Sequence, residues 1–136
     1  MNKNLEIVIP YYRTYDGLKL LIDSINFFTN EKININVLSF EEPDFDLRLI
    51  DKYKFPINFI NTKIPNQEKR MYSYAANTSY DFSIYVHTDI EIIEHDPIKE
   101  ILVASKIDDN IGIIGSLHPG NFIASYDEYI MPCISS

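Results

Sequence analysis

Three polar clusters, each following an apolar run, hold the side chains of this chain that could do chemistry. The run Phe82 to Val86 ends in His87, Thr88 and Asp89, with Glu91 close behind. Alternate residues of an extended chain face the same way, so His87 and Asp89 can both turn toward one ion. A carboxylate with one imidazole suits Mn²⁺ or Mg²⁺ better than structural Zn²⁺, which asks for four tight nitrogen or sulfur ligands. So sparse a ligand set leaves coordination positions for phosphate oxygens. The plain alternative is a strand that has reached solvent, where His and Asp are ordinary.

The second cluster is Pro10-Tyr11-Tyr12-Arg13. Pro10 ends a strand, the two rings could pack on a base, and Arg13 could meet a phosphate. Packing residues beside a solvated Arg are the ordinary reading of the same letters. The third is Glu41-Glu42-Pro43-Asp44, where a carboxylate could accept hydrogen bonds from a ribose or a base edge. An acidic turn is its simpler reading. Arg70, with Lys69 beside it, could neutralise a diphosphate or be a solvated cation on a helix. His95 and His118 lack partners at metal spacing and read as surface residues. No GxGxxG, GxxxxGK[ST] or serine nucleophile elbow occurs, so a phosphate would be held by cation and side chains rather than by a glycine nest.

The elements that must position these clusters alternate. Leu5 to Ile9 reads as a buried strand, and Leu18, Leu21, Ile22, Ile25 and Phe28 recur at helical spacing, with Thr14 or Asp16 as N-cap. A second strand runs from Ile33 to Phe40, and a short helix is expected over 45–53. Pro56 precedes a third strand at 57–60. Residues 66–79 read as a helix with Met71, Tyr74, Ala75 and Thr78 on one face. Phe82 to Val86 is the fourth strand, Asp96-Pro97 opens a further helix, and 111–115 is a fifth strand. Such alternation predicts a three-layer α/β/α fold with a mostly parallel sheet and right-handed crossovers. Ligands of such folds sit beyond the carboxyl ends of the strands, where strand order reverses. All three clusters fall at such ends.

Composition sets the outer limits. The chain has 136 residues, enough for one core, and 46% of them are hydrophobic. No Gly/Ser tract or repeat marks an internal boundary, so residues 1–136 are expected to form a single domain. A net charge of −8 argues against nucleic acid as a partner and against a polybasic membrane anchor. The lone Cys133 rules out an internal disulfide. The N-terminal apolar run is too short for a signal peptide, and no stretch reaches the ~18 apolar residues of a membrane span. The expected compartment is the cytoplasm, which leaves room for a peripheral place at the membrane.

In order, these pieces resemble the N-terminal half of a family 2-like glycosyltransferase with the GT-A fold. LEIVIPYYRTYDGLKLLIDSI is similar to that family's first strand, turn and helix. KRMYSYAANTSYDFSIYVHTD is similar to the helix and strand that deliver its metal-binding DxD, with His87 where the first Asp is usual. IGIIG, at 111–115, resembles the strand that follows. The resemblance covers roughly residues 4 to 116. It implies that Pro10, Tyr11 and Arg13 border the nucleotide, that Glu41 or Glu42 lies near the base, and that Arg70 faces the diphosphate. It implies Asp89 as direct ligand of Mn²⁺ or Mg²⁺, with His87 beside it. The implied partners are a nucleotide diphosphate sugar and an acceptor glycan or lipid-linked saccharide, and the implied reaction is hexosyl transfer to a hydroxyl.

That family's second half supplies the acceptor site and the catalytic carboxylate, and the chain stops about where it should begin. Asp127 and Glu128 follow the last expected strand without a context that identifies a base, so the catalytic residue is unassigned. A non-catalytic α/β interaction module, or a remnant that only binds the donor, is the alternative. A nucleotidyltransferase is a third reading, and the missing glycine-rich phosphate loop argues against it.

Overall fold

Ile7, Val8 and Ile9 are β-branched and apolar, and they carry β1 (Leu5–Pro10), every residue of which is buried. The computed structural model describes residues 4–89 and 96–107. After β1 the apolar period lengthens to that of a helix. Leu18, Leu21, Ile22 and Ile25 line one face of α1 (Tyr15–Phe28) with no measurable exposure. The helix stops at Thr29, whose N–H still reaches the Ile25 carbonyl while its own backbone is extended.

β2 (Asn34–Ser39), β3 (Ile57–Asn61), α2 (Gln67–Asn77) and β4 (Phe82–Tyr85) follow in turn. All strand pairs are parallel, in the order β3-β2-β1-β4. The steps from β1 to β2 and from β3 to β4 run in opposite directions across the sheet, so right-handed crossovers put α1 and α2 on opposite faces. This is the expected α/β architecture.

The short helix expected over 45–53 is instead a single 3₁₀ turn, Leu47–Ile50. The Asp46 side chain accepts from the Arg48 N–H and grips the Arg48 guanidinium, while the Leu49 N–H turns back to the Asp46 carbonyl at 2.9 Å. Asp46 thus caps the start of the turn, which stops where the Asp51 N–H closes on the Arg48 carbonyl at 3.4 Å.

The two faces of the sheet differ. One presents Leu5, Ile7, Ile9, Ile35 and Val37, all buried and apolar. The other carries a polar row. Glu6 is fully buried, and its carboxyl oxygens accept from Asn36 Nδ2 at 2.8 Å, Tyr74 OH at 2.5 Å, Thr78 Oγ1 at 2.8 Å and Ser83 Oγ at 2.6 Å. Asn58 Nδ2 extends the row by donating to Asn36 Oδ1. Tyr74 and Thr78, one helical turn apart, tie α2 to this face.

Compactness divides the chain into residues 1–96 and 97–136. The second unit contains α3 (Pro97–Ser105), which begins on a proline, favoured at the first helical position. The fifth strand expected at 111–115, like Glu91, His95, His118, Asp127 and Glu128, lies outside the described residues.

Candidate functional site

The crevice where strand order reverses lies between β1 and β4. From β1 the chain turns through Tyr11, Tyr12, Arg13 and Thr14 into α1. From β4 it passes Val86, whose N–H continues the ladder to the Val8 carbonyl at 3.0 Å, and reaches Thr88 and Asp89. Thr14 Oγ1 donates to or accepts from Thr88 Oγ1 at 3.1 Å. A Cβ added to Gly17 would stand 2.6 Å from the Thr88 carbonyl oxygen, so the first turn of α1 touches the turn after β4. Between them opens a cleft of about 430 Å³ lined by Arg13, Thr14, Tyr15, Asp16, Gly17, Asp44, Thr88 and Asp89.

Arg13 has a φ of 47°, a left-handed conformation that non-glycine residues seldom adopt. Its Nε and an Nη donate to the two carboxylate oxygens of Glu41 at 2.8 and 3.3 Å, and this bond raises the guanidinium pKa. Its guanidinium carbon also sits 5.3 Å from the Tyr12 ring centre, Tyr12 stacks on Phe40 at 5.2 Å, and the Arg70 guanidinium carbon lies 5.6 Å from Phe40. Two cations thus flank two aromatic rings, one at the cleft and one buried.

Each sequence-predicted residue has a definite place. Pro10 is buried at the end of β1. Tyr11 is buried with its ring edge-on to Phe45 and Phe59, so it offers no face to a base, whereas half of Tyr12 is exposed. The Tyr11 hydroxyl donates to Asp44 at 2.5 Å, and burial together with that bond drives its pKa upward. Glu41 holds Arg13, while Glu42 accepts from Asn61 Nδ2 at 3.1 Å, beside β3. Arg70 is 2% exposed. One Nη donates to the carbonyls of Ile64 at 2.9 Å and Pro65 at 3.4 Å, and its Nε has no hydrogen-bond partner. Burial lowers its pKa, as expected for a cation removed from water. Asp89 is exposed and lines the cleft; His87 is half-buried and is not among the lining residues.

Among the described residues no three His, Cys, Asp or Glu side chains converge on a point that could hold a metal ion. Asp89 therefore stands, among the described residues, without the further ligands of a prebuilt cage. One exposed carboxylate fits a hard divalent cation that keeps its waters and arrives with phosphate oxygens, the ordinary habit of Mg²⁺.

Sequence reasoning passed over Thr14, Gly17 and Thr88 as site residues, and it did not single out Asp44 from the acidic turn. The cue for Asp44 was parity. Tyr11 continues the buried series Leu5, Ile7, Ile9, and a buried phenol needs an acceptor.

No protein-family model matches the sequence, and no curated protein matches it. Solved structures do. The chain is similar to S. aureus TarS, a glycosyltransferase, with a TM-score of 0.60 and 13% identity over 85% of this chain and 24% of that one. TarS 1-349 in complex with UDP matches with a TM-score of 0.58 and 13% identity, over 85% of this chain and 39% of that one. Its complex with UDP-GlcNAc gives 0.58 and 13%, over 85% and 38%. The chain has an α/β fold of the kind that TarS has. It spans less than half the length of the structures it resembles. No helix of the described residues is long and apolar enough to cross a membrane.

Proposed function

We propose that the cleft between β1 and β4 binds a nucleoside diphosphate sugar with a divalent cation, and that it is the donor site of a family 2-like hexosyltransferase. The observation that carries this reading is convergence. Arg13, Thr14, Thr88 and Asp89 come from two separate strand ends to one cleft at the strand-order reversal. The fold shared with TarS, whose structures include complexes with UDP and UDP-GlcNAc, makes a uridine nucleotide the first candidate.

In this reading Asp89, with His87 nearby, holds Mn²⁺ or Mg²⁺. The cation supplies stabilisation of the leaving diphosphate. Tyr12, exposed and backed by Phe40, offers a ring face to the base. Glu41 and Glu42 border it, and Arg70 supplies buried positive charge behind Phe40. The acceptor would be a hydroxyl of a glycan or a lipid-linked saccharide, deprotonated by a carboxylate that the described residues do not identify.

Calorimetric titration of UDP with and without Mn²⁺ tests the reading. We expect binding that requires the metal and drops at least tenfold in Asp89→Ala. Metal-independent binding, no binding, or an unchanged affinity in the variant would overturn it.

A further inference from the structure

We propose that Glu41 is an internal competitor for the anionic ligand: its carboxylate occupies the guanidinium edge of Arg13 that a phosphate would otherwise take. This rests on the donor-site reading above and deepens it.

Among the residues lining the cleft, Arg13 is the cation and Asp16, Asp44 and Asp89 are the carboxylates. One edge of the guanidinium is already engaged, because Nε and one Nη donate to Glu41 in a paired geometry. A phosphate makes the same fork with arginine. The two partners therefore compete for one edge, and the cleft at rest shows a bare diphosphate mostly negative charge.

The contact is built in on both sides. Glu41 is fixed at the carboxyl end of β2, where its backbone N–H donates to the hydroxyl of buried Ser39 at 3.3 Å. Arg13 reaches it from a left-handed backbone that ordinary residues avoid. The pair is also exchangeable, since the Arg13 side chain is 61% exposed and that of Glu41 31%. Exposed ion pairs are weak, so a ligand can displace this one. The adjacent Tyr12 ring lies 5.3 Å from the guanidinium carbon, a second contact that does not use the edge facing Glu41.

Glu41 then sets a threshold. A diphosphate that comes with its cation meets less repulsion from Glu41 and the carboxylates of the cleft, whereas a free anion meets both the closed pair and that repulsion.

The test uses pyrophosphate, which has neither base nor sugar, titrated by calorimetry into the metal-free full chain with chelator present. The proteins are wild type, Glu41→Gln, Arg13→Gln and the double variant. Glu41→Gln should bind pyrophosphate roughly two- to fivefold more tightly than wild type, the range that an exposed pair can withhold. The gain should vanish when Arg13→Gln is added. Equal affinity of wild type and Glu41→Gln, absence of pyrophosphate binding in all four, or a gain that survives in the double variant would overturn the proposal. The last result would mean that only the overall field had changed. The two readings fail separately. If wild type ignores UDP with Mn²⁺ while the Arg13-dependent gain holds, the sugar-nucleotide reading falls and the competition stands.

Discussion

Gly17 and Thr88 meet so closely that a methyl group at residue 17 would lie 2.6 Å from the Thr88 carbonyl oxygen and 3.4 Å from its carbonyl carbon. A helix start from β1 and a turn from β4 are set against each other through a bare backbone. Asp89 is the next residue of that turn.

Gly17→Ala therefore pits two effects of known size against each other. Within a helix, alanine gains about 1 kcal/mol over glycine. The obstacle here is backbone rather than a yielding side-chain tip, and overpacking of that kind costs roughly 1–3 kcal/mol. We expect a net loss of about 1 kcal/mol or more in urea denaturation, with weakened metal-dependent nucleotide binding. A variant more stable than wild type would show that the turn yields freely.

Glu6 sits at the centre of the sheet with four donors aimed at its carboxyl group. Glu6→Ala strands all of them, and each buried unsatisfied group costs about 1–3 kcal/mol. We expect at least roughly 3 kcal/mol of destabilisation by denaturant melts, enough to threaten folding in a chain this size. Glu6→Gln should cost clearly less, because an amide placed toward Ser83 and Thr78 meets hydroxyls that can rotate to accept. Equal losses in the two variants would mean that the bonds matter less than the shape.

Arg70 separates stability from function. Among the described residues no carboxylate pairs with it, and burying a cation without one is costly. Arg70→Met keeps the bulk and removes the charge, at the loss of bonds to two carbonyls. Thermal and denaturant melts should shift by no more than about 1 kcal/mol. UDP affinity with Mn²⁺ should fall at least tenfold. A large stability loss with unchanged affinity would make Arg70 a structural cation.

Alkaline pH should unfold the protein partly through Tyr11. Burial, and then the bond to Asp44, raise its phenol pKa above the ordinary value near 10. The folded state thus favours the protonated phenol. Its contribution is intact below the unfolded pKa and is lost as pH rises above it toward the folded one, at up to about 1.4 kcal/mol per pH unit. Tyr11→Phe lacks that slope. Its stability should fall less steeply than wild type between roughly pH 9.5 and 11.5, and matching slopes would remove Tyr11 from the account.

Where residue type and period agree, the fold was legible. The β-branched run of β1 and the stripe Leu18, Leu21, Ile22, Ile25 permit one reading each. α2 was found, but of the expected face Met71, Tyr74, Ala75 and Thr78, Ala75 is exposed, while the buried residue of the helix is Arg70. An apolar period cannot report a helix packed against a polar sheet face. The 45–53 segment yields only the turn Leu47–Ile50, which Asp46 caps at its start and which stops at Asp51. At the candidate site, composition at the strand ends singled out Arg13 and Asp89, which line one cleft. Parity turns Tyr11 inward, but it could not say that Glu41 rather than Glu42 meets Arg13, or that Glu42 reaches Asn61 instead. Those depend on how β2 lines up with β1 and β3, which only the paired structure displays.

The polar row Ser83–Glu6–Asn36–Asn58 has a consequence for how the strands find one another. A sheet zipped from interchangeable Ile and Val side chains could shift along itself at little cost. A shift by one residue here would turn Glu6 into the oily layer under α1 and leave its donors facing nothing. The row works like the notches of a key: four strands can collapse in many alignments, but only one lets the lock close.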